Sequence, residues 1–344
     1  MSNAAQSKYQ VGVIGGSGLT GAELLRILAV HPNFEAEYVT ANSEVGTRIA
    51  DLYPGLASNY SDRKFEAWDK KRIADCDILF FCLPHGTSQD LIAQCEDTKF
   101  IVDLGSDFRH DDKNIYDEYY GEAHHHPELL SDFTYGLPEI YREEIKKSKR
   151  VAAPGCYPTA SILAIKPFID AGILADDVII VNADSGMSGA GKDPKPNNTF
   201  VASNENASAY GLVKHRHTPE IETHTKSKVL FTPHLIPVNR GIMATCYGTL
   251  QRETTQDEIE LVLAKYYEGE AFVQVQSAPP QLSSVTGSNN VHVYATPDNR
   301  TGKLIMLSTI DNLCKGSSGQ GVQCANLMTG LAETTGLRGL GLYP

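Results

Sequence analysis

Apolar residues along the chain fall into two textures. From residue 11 to about 104 they gather in short continuous runs: Val11-Gly12-Val13-Ile14, 34–40, Ile78-Leu79-Phe80-Phe81-Cys82-Leu83 and Phe100-Ile101-Val102-Asp103-Leu104. Between them come stretches of helical spacing, such as Gly21-Ala22-Glu23-Leu24-Leu25-Arg26-Ile27-Leu28, which ends near His31-Pro32. Strands apolar on both faces need cover on both, which predicts a parallel sheet between helices. After residue 155 the runs 178–182, 228–231, 242–250, 272–276, 291–296 and 304–310 read as strands. Several are joined by short polar turns, with about two helices among them. That predicts a mixed or antiparallel α+β domain, joined to the first near Pro154. A last helical stretch, 318 to about 331, is expected to pack back on the first domain.

The chain has 344 residues and is 41% hydrophobic, enough for two cores. A formal net charge of −12 argues against a nucleic-acid or anionic-membrane surface, although local basic pockets for small anions stay open. No apolar run reaches the ~18 residues that a membrane helix needs. The start, 1–10, is polar and lacks the apolar core of a secretory signal; Ser2-Asn3-Ala4 fits a cloning remnant. The 7 cysteines show no CxxC spacing and their number is odd, which favours free thiols in a reducing compartment over disulfides or zinc. A soluble, cytoplasmic protein is expected.

Three segments carry candidate chemistry. Gly16-Ser17-Gly18-Leu19-Thr20-Gly21 follows a strand and opens a helix, so the backbone can approach a pyrophosphate at the helix N-terminus. A tight strand–helix turn with no ligand is the plainer alternative. Thr40-Ala41-Asn42-Ser43 closes the second strand without a carboxylate, and Arg48 follows, which favours the 2′-phosphate of NADP. Glu44 complicates that reading, and Arg48 also fits a solvated surface charge. Next, Pro154-Gly155-Cys156-Tyr157-Pro158 puts a thiol at a helix start, with Pro158 suited to the first helical position. The helix's positive end favours thiolate there; the alternative is an inert loop cysteine. Finally, Lys214-His215-Arg216-His217-Thr218-Pro219 crowds two imidazoles at the mouth of a short helix that Thr218 can cap and Pro219 can open. It suits a general acid/base, or a basic surface loop. His124-His125-His126 reads as a solvated run, not a metal site.

These segments match one family over essentially the whole chain, from Val11 to about Asn326. Beside Gly15-Gly16-Ser17-Gly18-Leu19-Thr20-Gly21 stand Leu83-Pro84-His85-Gly86, Asp103-Leu104-Gly105-Ser106-Asp107-Phe108-Arg109 and Tyr135-Gly136-Leu137-Pro138-Glu139. Further on come Pro154-Gly155-Cys156-Tyr157-Pro158-Thr159, Ser185-Gly186-Met187-Ser188-Gly189, His215-Arg216-His217-Thr218-Pro219-Glu220, Arg240-Gly241-Ile242 and Lys315-Gly316-Ser317-Ser318-Gly319-Gln320. The chain resembles the N-acetyl-γ-glutamyl-phosphate reductases of arginine biosynthesis, relatives of aspartate-semialdehyde dehydrogenase. The resemblance implies an α/β architecture: a Rossmann dinucleotide-binding domain, 8–155 plus 312–344, and an α+β glyceraldehyde-phosphate-dehydrogenase-like domain, 156–311, for catalysis and oligomerisation. It implies NADP as cofactor, an acyl phosphate and inorganic phosphate as small-molecule partners, no metal, and a homodimer or homotetramer.

By the same resemblance, Cys156 carries the acyl group as a thioester and His217 is the acid/base, with His215 second. Arg109, Arg240 and Glu220 would contact substrate; a structural ion pair is the lesser alternative for either arginine. Gly15, Pro84, Ser188 and Gly189 join the glycine loop, Ser43 and Arg48 at the cofactor. Lys192 and Cys324 depart from the family's arginine and asparagine. Aspartate-semialdehyde dehydrogenase, a carrier-bound acyl substrate, and a catalytically dead dinucleotide sensor are the alternatives.

Overall fold

The protein is described by a computed structural model over residues 8–196 and 198–342, so most of the polar start lies outside the described residues. The chain forms two compact units. One runs through Pro154 and takes in Ser317–Arg338; the other is Gly155–Gly316 with the chain again from Gly339. The return to the first unit therefore comes at 317 rather than the expected 312, and the chain from 339 belongs to the second unit rather than the first. The reason is local: Gly316 N donates to Asp311 O at 2.9 Å, and Leu342 N donates to Thr286 O at 2.8 Å.

In the first unit six strands, β1 (Tyr9–Ile14), β2 (Phe34–Val39), β3 (Ile78–Phe81), β4 (Phe100–Asp103), β5 (Thr134–Tyr135) and β6 (Arg150–Ala152), pair in the order β2-β1-β3-β4-β6-β5. Every pairing is parallel. β3 is buried along its whole length, as its unbroken Ile-Leu-Phe-Phe requires. Chain order reverses between β1 and β3, and ligands of open parallel sheets bind beyond the strand ends at such a point. The helix Gly319–Met328 is buried throughout and packs on β4. Its polar face is satisfied internally: Asn326 Oδ1 lies 3.1 Å from His31 Nε2, and Gln323 Nε2 donates to Glu333 at 2.9 Å. Cys324 is buried there, its Sγ 3.4 Å from Gly136 O, so this departure from the family pattern is one of packing.

The second unit is built on a seven-stranded mixed sheet: β7 (Ile179–Gly186), β8 (Ser208–Ala209), β9 (Val229–Ile236), β10 (Ile242–Thr249), β11 (Val273–Val275), β12 (Val291–Asp298) and β13 (Lys303–Ile310). The order is β11-β12-β13-β10-β7-β9-β8. β7 with β9 and β11 with β12 are parallel, and the rest are antiparallel. The buried helix Cys156–Asp170 covers one face, against β10, β12 and β13. Strict alternation in β7, β9 and β10 sends Ile179, Val181, Val229, Phe231, Ala244 and Cys246 inward. Their neighbours Ile180, Leu230 and Tyr247 point outward and are 43%, 55% and 36% exposed.

Candidate active site

In the first unit, β1 ends in the glycine loop. Gly15 has φ +89°, and a Cβ there would lie 2.7 Å from the Cys82 carbonyl oxygen, a backbone atom that cannot move aside. Gly21, in the first turn of the helix that follows, lies so close to the loop that a Cβ would be 2.6 Å from Gly15 O. Thr40 ties the loop to β2, its Oγ1 accepting from Gly15 N at 3.1 Å and its carbonyl from Gly16 N at 2.7 Å. Gly18 is different. The nearest protein atom to its Cβ position is 3.8 Å away. Internal packing does not require glycine at that position, whereas close approach of a pyrophosphate does. Gly18 also precedes the helix Leu19–Leu28, whose N-terminus has no side-chain cap, so its amides suit an anion. The loop fits a dinucleotide.

Ser43 and Pro84 are exposed beyond β2 and β3. Arg48 is half exposed and grips Asp51 through two bonds, Nε–Oδ2 at 2.9 Å and Nη2–Oδ1 at 2.8 Å. A phosphate contact there must compete with that carboxylate. Past β4, Asp107 accepts from Gly86 N and from Ser88 Oγ, each at 2.8 Å, joining the loops after β3 and β4. Arg109 Nε donates to Ala153 O at 2.9 Å, the loop after β6. Asp103 is fully buried, and burial, then the charge of Asp107, holds its carboxyl above the usual carboxylate range. His124 is buried rather than solvated: Phe108 and Tyr116 pack against its ring and Nε2 bonds Asp107 O at 3.0 Å. His125 and His126 do face solvent, beside Asp90. Among the described residues no His/Cys/Asp/Glu group has a metal-holding arrangement.

The second unit holds the thiol. Cys156 is the first residue of the helix Cys156–Asp170, behind an extended Gly155 (φ −65°, ψ 154°), so Pro158 is third rather than first. The His217 imidazole lies on Gly155. A Cβ at 155 would collide with His217 Nε2 and approach Cδ2 to 2.7 Å. Glycine at 155 is therefore what lets an imidazole lie on the backbone beside the thiol. His217 begins the helix His217–Thr225, and Arg216 before it is already helical. Thr218 and Pro219 thus lie inside the first turn, so Thr218 is not the cap expected of it. Glu220 is wholly buried, and its Oε1 accepts from Gly155 N at 2.7 Å. That places it behind the thiol as a holder of Gly155, not among groups open to substrate.

His215 occupies an aromatic box, with ring centroids of Tyr157, Tyr210 and Phe231 at 5.7, 5.5 and 5.2 Å. Its Nδ1 accepts from His217 N at 3.1 Å, which leaves a neutral ring's proton on Nε2. Burial first, and the charge of Arg216 second, push its pKa down to about 4. Tyr210 donates to the Tyr157 hydroxyl at 3.1 Å, which donates to His234 O at 3.1 Å. Arg240, in the loop between β9 and β10, is ion-paired through Nη2 to buried Asp311 at 2.9 Å. Ser188 accepts from Asn312 Nδ2 at 2.9 Å, and Gly189 beside it is exposed. Sequence reasoning gave no role to Gly316, which stands in a matching segment and faces Cys156, and did not single out Asp311. Among the other cysteines, Cys76 and Cys95 are buried and their thiols pushed up to about 12; the half-buried Cys82 is also raised by burial.

Residues 10–148 match the family described as semialdehyde dehydrogenase, NAD binding domain, and 156–312 match its dimerisation domain. The N-acetyl-gamma-glutamyl-phosphate reductase of Desulforudis audaxviator is 45% identical over 97% of this chain and 99% of its own. The Moorella thermoacetica protein of that name is 41% identical over 97% and 99%. A probable chloroplastic one from Arabidopsis thaliana is 40% identical over 98% and 86%. Two solved structures share the fold. Aspartate semialdehyde dehydrogenase II of Vibrio cholerae, complexed with ASA, has TM-score 0.70 and 16% identity, over 94% of this chain and 99% of that one. The Candida albicans enzyme with NADP has TM-score 0.66 and 16% identity, over 96% and 100%.

Proposed function

The chain belongs to the N-acetyl-gamma-glutamyl-phosphate reductase family, and from that we propose that it reduces N-acetyl-γ-glutamyl phosphate to N-acetylglutamate 5-semialdehyde with NADPH, releasing phosphate, in cytoplasmic arginine biosynthesis. The observation that carries the chemistry is the His217 imidazole lying on Gly155, next to a cysteine at a helix start. Cys156 thiolate attacks the acyl carbon and phosphate leaves, forming the thioester. The loop Gly15–Gly21, Ser43 and Pro84, and in the second unit Ser188 and Gly189, are the residues assigned to hold NADPH, which would supply the hydride. His217 gives a proton to the carbonyl oxygen as the thiohemiacetal forms, then removes it as the C–S bond breaks. Glu220 keeps Gly155 in place. Arg109 and Arg240 have the planar forks that suit carboxylate and phosphate. The test is NADP reduction with N-acetylglutamate semialdehyde and phosphate. Turnover with aspartate semialdehyde instead, or no phosphate-dependent turnover with N-acetylglutamate semialdehyde, would overturn it.

Arg48 is assigned to the 2′-phosphate, the choice left by a β2 end without a carboxylate. Arg48→Ala is expected to weaken NADP binding roughly tenfold, the order of one charge-assisted contact, and to spare NAD. Titration of both nucleotides checks it; equal losses would refute the assignment.

The second unit's outward row is assigned to a second copy, as the dimerisation family suggests. Leu230, Ile180, Tyr247 and Ile305 are consecutive cross-strand neighbours over β9, β7, β10 and β13. An apolar stripe of that kind needs cover. Leu230→Lys with Tyr247→Lys is expected to convert a dimer to monomer in light scattering. An unchanged mass would remove this face from the interface.

A further inference from the structure

We propose that Asp311 is a positioning residue for the reduction site, one carboxylate that sets both the Arg240 guanidinium and the wall against which Cys156 lies. The inference rests on the function proposed above. Asp311 follows β13 and is fully buried. Burying a carboxylate is costly unless it is paired and hydrogen-bonded, and here three separate segments converge on it. Oδ1 accepts from Arg240 Nη2 at 2.9 Å, Leu313 N at 2.8 Å and Cys314 N at 2.9 Å, while Oδ2 accepts from Gly287 N at 2.6 Å.

Each bond set has its own consequence. The ion pair holds one arm of the Arg240 fork, and a guanidinium recognises an anion only in the plane in which it is held. The amide bonds close the wide π-helical turn Cys314–Ser318, a geometry that recurs at functional sites. Within that turn Gly316 N donates to Asp311 O at 2.9 Å, and a Cβ at Gly316 would lie 2.8 Å from Cys156 Cβ and 3.3 Å from Asp311 O. The turn therefore stands directly against the thiol-bearing residue. A shift of a few tenths of an ångström at Asp311 reaches Cys156 and Arg240 together. Hydrophobic packing alone accounts for neither the charge nor the four donors.

Asp311→Asn keeps the shape but points an amide at donors, whichever way it is turned. With N-acetylglutamate semialdehyde and phosphate, kcat/KM is expected to fall about 10- to 100-fold, the range of lost bonds to a charged group. The fall should show as a higher KM for phosphate or aldehyde, together with an altered rate of Cys156 labelling by iodoacetamide. The NADP dissociation constant should change less than about twofold, since the glycine loop belongs to the other unit and Ser188 bonds Asn312 rather than Asp311. Wild-type KM and labelling rate would overturn the proposal, as would NADP binding weakened in parallel with them. Should the variant fail to fold, Asp311→Glu takes its place; if that also fails to fold, the role is structural only and the proposal falls. Absence of phosphate-dependent turnover in the wild type would instead sink the functional reading. The labelling rate, which needs no turnover, then judges Asp311 by itself.

Discussion

Cys156→Ser is expected to lower turnover by roughly 10⁴-fold or more, the order seen when a covalent nucleophile is lost, while NADP still binds. Serine keeps the volume that fits between Gly155 and the Gly316 turn, so the fold has no reason to change. What changes is the nucleophile: a thiol yields an appreciable thiolate fraction near neutrality, and a hydroxyl does not. The helix Cys156–Asp170 is 15 residues long and presents its positive end to Cys156, which further favours the anion. Iodoacetamide should therefore label Cys156 before any other cysteine. Cys76, Cys95, Cys246, Cys314 and Cys324 are buried, and burial raises the Cys82 thiol. Peptide mapping against residual activity checks both points. Retention of a hundredth of wild-type turnover by the serine variant, or first labelling at Cys82, would count decisively against the thioester.

The residues legible in the sequence were those whose own chemistry marks them. A thiol at a helix start, two imidazoles at a helix mouth and a glycine loop after a strand announce themselves by type and spacing. Ten strands were legible because their apolar runs must be buried, but β5, β6 and β8, of 2, 3 and 2 residues, are too short to show a period. Helix starts were misplaced by two residues at both Pro158 and Thr218, since proline tolerates any position of the first turn. Glu220 was legible as part of a motif but not by role. Its motif neighbours an open site, whereas its carboxylate turns inward to Gly155. Gly316 was legible only as part of a matching segment, and Asp311 was not legible at all. Their importance comes from what the fold brings beside them, and an acid after a strand looks the same whether it meets water or an arginine.

The two histidines are separated by their surroundings, and that separation predicts different kinetics. A proton donor must stand about 2.6–3.2 Å from the developing oxyanion, directly or through one water. His217 lies on Gly155, the residue before the thiol, whereas His215 is enclosed by Tyr157, Tyr210 and Phe231 and uses Nδ1 to hold the His217 amide. His217→Asn is expected to lower kcat by about 10²–10⁴-fold, the usual contribution of general acid/base catalysis, with NADP binding intact. His215→Asn is expected to act mainly on the apparent substrate KM, through a displaced His217 backbone. The pH dependence sharpens the distinction. With its folded pKa lowered to about 4 from 6.5, His215 is neutral throughout the neutral range. The unfolded chain binds its proton first as pH falls, so its contribution to stability is complete above pH 6.5 and is lost between there and about 4. Any limb of the kcat/KM profile above pH 5 thus belongs to other groups and should survive in His215→Asn. A collapse of kcat confined to the His215 variant, with that limb abolished, would move the acid/base role to His215.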